Sequence, residues 1–190
     1  MPNLYLLDPA PPFAPDKSVA YASFTTKQDC SPRPIPVIYA NKLRVGSIVK
    51  VEAEGEYSTT ATPNLTWGLY LGTHDGTTGT VPTITTDIAL SSVITTPSGA
   101  AAFHWRMEWR GKVTKTGSAG SMIGTGNLEQ GITLTTESTF PIPITAALRT
   151  VAINTTIDVC IGVSATYSAS SASNTFTTYS LTVQTWGGTA

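Results

Sequence analysis

Charge is scarce in this chain: only 12% of its 190 residues are Asp, Glu, Lys or Arg. The formal net charge of −1 and a pI near 6.1 supply no basic field for nucleic acid, and no run of like charge marks a tail, so no nucleic-acid partner is expected. Histidine is limited to two residues and cysteine to two. Cys30 and Cys160 lie too far apart for a metal-ligand spacing. Two buried free thiols are the expectation, with a Cys30 to Cys160 disulfide conceivable only in an oxidising setting. Apolar runs fall far short of the ~20 residues that span a bilayer, and the start of the chain carries Asp8 and prolines where an export signal needs a basic start and an apolar block. Neither a membrane anchor nor an export signal is expected.

The familiar catalytic signatures are missing as well. There is no G-x-S-x-G, no H-E-x-x-H and no G-x-x-x-x-G-K-[ST]. Glu52, Glu54 and Glu56 could suggest paired carboxylates, but alternation puts all three on one wet strand face, whereas acid/base work needs two environments that drive pKa values apart. His74-Asp75 sits in a glycine-rich loop without a second ligand cluster, so neither metal nor cofactor is expected. Asn64-Leu65-Thr66 and Asn154-Thr155-Thr156 match the glycosylation pattern, but a threonine-rich chain generates such matches by chance. The expectation is a protein that is not an enzyme.

Threonine is abundant, with 33 residues beside 16 glycines and 13 prolines, a composition that favours strands and turns. In FHWRMEWRGKV, Phe103, Trp105, Met107 and Trp109 alternate with His104, Arg106, Glu108 and Arg110, which predicts a strand with one dry face. SIVKVEAEGEYS does the same, with Val49, Val51, Ala53 and Tyr57 on the dry side. LTWGLYLG returns after TATPN with Leu65, Trp67, Leu69 and Leu71 inward. Weaker strands are expected near Thr83 to Leu90 and Val93 to Thr95. GSAG (Gly117 to Gly120) predicts a tight reversal into SMIGTGNLE, a strand with small residues on one face. ITLTTE reads as a short strand and FPIPI as a proline-interrupted connection. TIDVCIGVSATYS predicts a strand with Ile157, Val159, Ile161 and Val163 inward, and TFTTYSLTVQTW a last strand with Tyr179, Leu181 and Val183 inward.

Eight or nine strands with frequent turn signals and no helical segment argue an all-β antiparallel sandwich, of immunoglobulin type or jelly-roll, the long first and last strands favouring the jelly-roll. A body of about 150 residues can bury roughly 68–70% of its unfolded surface without staples. Eight of the thirteen prolines lie within Met1 to Pro36, which divides the chain into an extended Pro-rich N-terminal arm, 1–40, and a sandwich domain, 41–190. The arm carries apolar residues, in LYLLD (Leu4 to Asp8) and VAYASF (Val19 to Phe24), that either pack on their own body or dock on a neighbour. Leu4, Tyr5, Leu6, Leu7 and Phe13 are the candidate partner-binding residues. Trp67, Trp105 and Trp109 belong to the dry faces, and Trp186 is the one aromatic left open as a binding platform. Arg106, Glu108 and Arg110 back the aromatic row where Thr or Ser would satisfy an isolated sandwich. They are candidate intersubunit residues, with Glu52 and Glu54 as partners on an adjacent strand or subunit; plain cross-strand surface pairs are the alternative.

The order of these elements, KVEAEGEYSTTATPNLTWGLYLG, then WRMEWR with GSAGS after it, then TIDVCIGVSATYSASSASNTFTTYSLTVQ, resembles a family of small tailed-bacteriophage virion proteins, described as minor capsid, decoration or tail-associated. The resemblance covers roughly Asn41 to Trp186, and its most specific part is the turn Ser171-Ala172-Ser173-Asn174-Thr175 before the final strand. It implies a jelly-roll-like body, often a homotrimer, that binds the major capsid protein and stabilises an assembled head. It implies no catalytic residues, and a location in the virion, assembled in the host cytoplasm. A tail-associated protein that contacts a receptor or glycan through loops such as His74 to Pro82 is one alternative, and a carbohydrate-binding module or hydrolase on the same fold is another.

Overall fold

Alternation of apolar and polar residues builds two antiparallel sheets that face each other across one core. The computed structural model describes residues 5–6, 17–73 and 83–187. The strands are β1 (Tyr5–Leu6), β2 (Tyr21–Ala22), β3 (Gln28–Asp29), β4 (Val37–Ile38), β5 (Ile48–Ser58), β6 (Asn64–Thr73), β7 (Thr83–Leu90), β8 (Ile94–Thr95), β9 (Phe103–Lys115), β10 (Gly120–Gly131), β11 (Glu137–Ile142), β12 (Thr150–Ile153), β13 (Val159–Tyr167) and β14 (Thr175–Trp186). One short 3-10 turn, Ala146–Arg149, precedes β12. The first sheet runs β1-β14-β5-β9-β10-β11, with β12 beside β10 and β2 beside β14; the second runs β3-β13-β6-β7, with β4 beside β13 and β8 beside β6. The chain is therefore all-β, a sandwich of two antiparallel sheets.

The dry face of β9 is as expected: Trp105, Met107, Trp109 and Val113 are fully buried between exposed neighbours. Val49, Val51, Ala53 and Tyr57 of β5 and Leu65, Trp67 and Leu69 of β6 join them. Trp105 stacks on Phe176 at 4.9 Å between ring centres, and Tyr57 meets Trp67 edge-on at 5.7 Å. Large side chains buried this way each contribute about 1.5–3 kcal/mol. The indole of Trp109 needs floor space, which two glycines directly opposite each other on β9 and β10 provide. A methyl group at Gly111 or Gly124 would lie 2.1 or 2.2 Å from the Trp109 ring. That accounts for the small residues on one face of SMIGTGNLE.

The second sheet departs from simple alternation because both of its faces are covered. Cys160, Gly162 and Ser164 of β13 and Gly68, Tyr70 and Gly72 of β6 are buried on the side away from the main core. Over Cys160 and Gly162 the cover comes from Ser31, Ile35 and Val37 of the proline-rich segment after β3 and from Tyr70, while Gly68 lies under Ser164 and Leu90. Asp29, itself buried, accepts hydrogen bonds at Oδ1 from the hydroxyls of Tyr70 and Ser31, both 2.7 Å, and pairs with Arg33 through Oδ2. Ile35 and Val37 pack on Cys160. Residues 17–38 thus lie against the sandwich: β2 pairs with β14, β3 and β4 pair with β13, and Phe24, Cys30 and Ile38 enter the main core. VAYASF divides accordingly, with Phe24 buried and Val19 70% exposed.

Four local expectations need correction. Tyr179 does not point inward; it is 39% exposed, because the register shifts between Thr178 and Ser180 and inserts one extra residue. Ile157 precedes β13 and is 41% exposed. ITLTT forms the reversal after β10, closed by the Ile132 amide on the Thr136 carbonyl, while ESTFPI is the strand β11. Its Pro141 is accommodated because β11 lies at the end of the strand order. The two cysteines, by contrast, are free and buried as expected: Cys30 belongs to the main core, whereas Cys160 packs with Ile35 and Val37 on the far side of the second sheet.

Candidate functional site

The outer face of the first sheet concentrates the charge that the rest of the chain lacks. Because side chains alternate across a strand, burying the odd positions of β5 and β9 forces Lys50, Glu52, Glu54 and Glu56 and His104, Arg106, Glu108, Arg110 and Lys112 outward together. Glu129 joins from β10, opposite Arg106. The bulge in β14 adds Tyr179, whose hydroxyl the Glu56 carboxylate raises to about 12, and whose ring lies 5.8 Å from the Lys17 ammonium. Five cations (Lys17, Lys50, Arg106, Arg110, Lys112) and five carboxylates (Glu52, Glu54, Glu56, Glu108, Glu129) therefore share one face, from a total of 11 Lys and Arg and 12 Asp and Glu.

The register decides how these charges meet. Glu52 stands directly opposite Glu108, and Lys50 opposite Arg110, two like-charge pairings that are unfavourable by themselves. Ion pairs resolve them: Lys50 Nζ lies 3.0 Å from Glu52 on its own strand and 3.2 Å from Glu108 diagonally across the ladder, and Arg106 reaches Glu52 diagonally at 3.5 Å. The two carboxylates hold the Lys50 ammonium above its ordinary pKa by hydrogen bonding. Glu54 accepts a 3.2 Å hydrogen bond from Ser180, and the guanidinium of Arg110 lies 5.5 Å from the Trp186 ring centre. A shallow depression of about 190 Å³ is lined by Glu52, Ala53, Glu54, Arg106, Ser180 and Thr182.

The structure brings Arg106, Glu108, Arg110, Glu52 and Glu54 together on one surface, as neighbours on adjacent strands of a single chain. Each still presents free hydrogen-bonding capacity: the side chains of Arg106 and Glu108 are 47% and 50% exposed. Trp186 lies at the margin of this face, half-buried. Leu4, Leu7 and Phe13 lie outside the described residues, as does the His74-Asp75 pair; Tyr5 and Leu6 form β1, whose backbone pairs with Thr185 and Gln184. Among the described residues no group of three or more His, Cys, Asp or Glu could hold a metal ion, and no helix is long and apolar enough to cross a membrane. Lys17 and Tyr179 escape the sequence reading because a bulge cannot be seen in period-two alternation. Chemically, the face can form directed ion pairs and hydrogen bonds of both signs with a flat polar surface. In comparisons with known proteins, no family model and no curated protein matches this chain.

Proposed function

We propose that the protein is a non-enzymatic virion structural protein, a decoration or cement protein that binds the major capsid protein of an assembled phage head as a homo-oligomer, a trimer by its family resemblance. The observation that carries this reading is the mixed-charge face: ten ionised side chains on one sheet surface of a chain otherwise poor in charge. Such a mosaic gives a flat partner orientation and register rather than raw affinity. In this reading the sandwich is of jelly-roll type, supported by the chain crossing between sheets from β5 to β6 and from β13 to β14, and the N-terminal arm adds shell contacts through Leu4, Leu7 and Phe13.

The test is light scattering on the purified protein, then co-sedimentation with empty shells. Truncation must stop at residue 16, because Phe24, Cys30 and Ile38 belong to the core and a cut at residue 40 would unfold the body. Binding that weakens in the 17–190 chain, and again in an Arg106→Glu, Arg110→Glu variant, supports the reading. A folded monomer that stays in the supernatant sinks it, and electron microscopy of labelled protein on tails would favour the tail-associated alternative.

A further inference from the structure

Backbone hydrogen bonds, unlike side-chain pockets, recognise any strand of suitable register, and the outer edge of β14 is lined by pieces of the N-terminal segment. Tyr5 and Leu6 pair with Thr185 and Gln184, Ser18 exchanges two 2.9 Å hydrogen bonds with Thr178, and Tyr21 and Ala22 pair with Phe176 and Thr175. All run antiparallel to β14, so the segment climbs one edge in order. The spacing is unequal. Eleven residues connect Leu6 to Ser18, while five residues of β14 separate Gln184 from Thr178. Those twelve steps reach about 40 Å when extended, against the roughly 20 Å that six strand positions require.

We propose that β1 is exchanged between copies, so that the β14 edge at Gln184–Thr185 docks the Tyr5–Leu6 strand of a second copy. The same two edge residues serve either source, because the register is made by main-chain groups and is indifferent to which chain supplies them. The tether exceeds what its own edge needs. The next anchors, Ser18, β2 and the Asp29 cluster, hold residues 18–38 to their own body. A strand of two residues forfeits little when it leaves. Each copy gives one strand and receives one, a head-to-tail contact that closes into a ring when the rotation permits. The inference rests on the oligomeric reading above and says how the copies are linked.

Directly opposed antiparallel residues have Cα atoms about 4.5–5.5 Å apart, within the range a disulfide bridges. Tyr5→Cys and Thr185→Cys chains are therefore prepared separately, mixed, and oxidised at pH 8. The native thiols do not compete: burial pushes Cys30 well above its ordinary range and Cys160 to about 11. The double variant in one chain serves as the geometric control, and wild-type light scattering gives the oligomeric state independently. A disulfide-linked band at twice the chain mass from the mixture, and from neither single variant alone, is expected. Closure within one chain of the double variant, with no linked band from the mixture, overturns exchange; a wild-type oligomer then leaves the oligomeric reading standing, and a monomer removes both. Failure of the double variant to form any bond also overturns the proposal, since β1 would not be seated on β14 in either chain.

Discussion

Tyr70 of β6 donates its hydroxyl proton to Asp29 Oδ1 over 2.7 Å, tying β6 to β3, two strands of the second sheet that are not neighbours in it and lie 41 residues apart in the chain. Tyr70→Phe removes this bond but leaves Asp29 its contacts with Ser31 and Arg33, so a loss of about 1 kcal/mol is expected. Asp29→Ala strands Arg33, Ser31 and Tyr70 together and costs roughly 2–3 kcal/mol, less than a fully buried pair because Arg33 is partly exposed. Urea unfolding monitored by tryptophan fluorescence measures both. Equal and negligible losses would show that Asp29 does not anchor the proline-rich cover.

Gly124→Ala places a methyl group 2.2 Å from the Trp109 ring and 2.9 Å from the Arg110 carbonyl, in a core with no room to yield. A destabilisation of about 1–3 kcal/mol is expected. Trp109→Leu costs stability alone but removes the clash, so the two changes together should cost less than their sum. Additive losses in the double-mutant cycle would contradict the glycine floor.

The diagonal pair of Lys50 and Glu108 is solvent-exposed, so its coupling, read from the Lys50→Ala and Glu108→Ala cycle, should be about 0.2–1 kcal/mol. At about 1 M salt, where the screening length falls to ~3 Å, it should vanish. A coupling that persists in high salt would mean that the pair is shielded, and shielding on this face requires a partner.

Stability should fall in alkali. Burial raises Cys160 from 9.0 to about 11 and pushes Tyr70 and Tyr167 far above 10, so above pH 9 the unfolded chain releases protons that the folded chain retains. The folded state therefore loses stability as pH rises from 9 through 11, while below 9 these groups are protonated in both states and the slope disappears. Cys160→Ala should flatten the decline by up to about 2–3 kcal/mol across that window. Denaturation midpoints at pH 8, 9.5 and 11 give the answer. Thiol titration of native protein should detect neither cysteine until denaturant is added.

Where one face of a strand is wet, the sequence was legible. β5 and β9 bury the residues that alternation assigns, and the charged row follows from the same parity. Where both faces are dry, it was not. The polar-looking positions of β13, Cys160, Gly162 and Ser164, are as buried as their apolar neighbours, because a segment more than 120 residues away covers them. Small size is the only trace this leaves, and small residues on a strand suit a solvated face equally well. Tyr179 failed for another reason, since a single inserted residue reverses every assignment on one side of it.

By itself, then, the sequence determined the strand-forming composition, the dry aromatic row of Trp105, Met107 and Trp109, and the wet charged row behind it, because period-two alternation is local and needs no knowledge of partners. Tertiary structure alone decided that Glu52 faces Glu108 and is reconciled through Lys50, that the proline-rich segment caps the second sheet, and that Tyr179 and Lys17 extend the charged face. Register, cover and bulge are relations between segments far apart in the chain, and only the assembled sheets fix which positions meet.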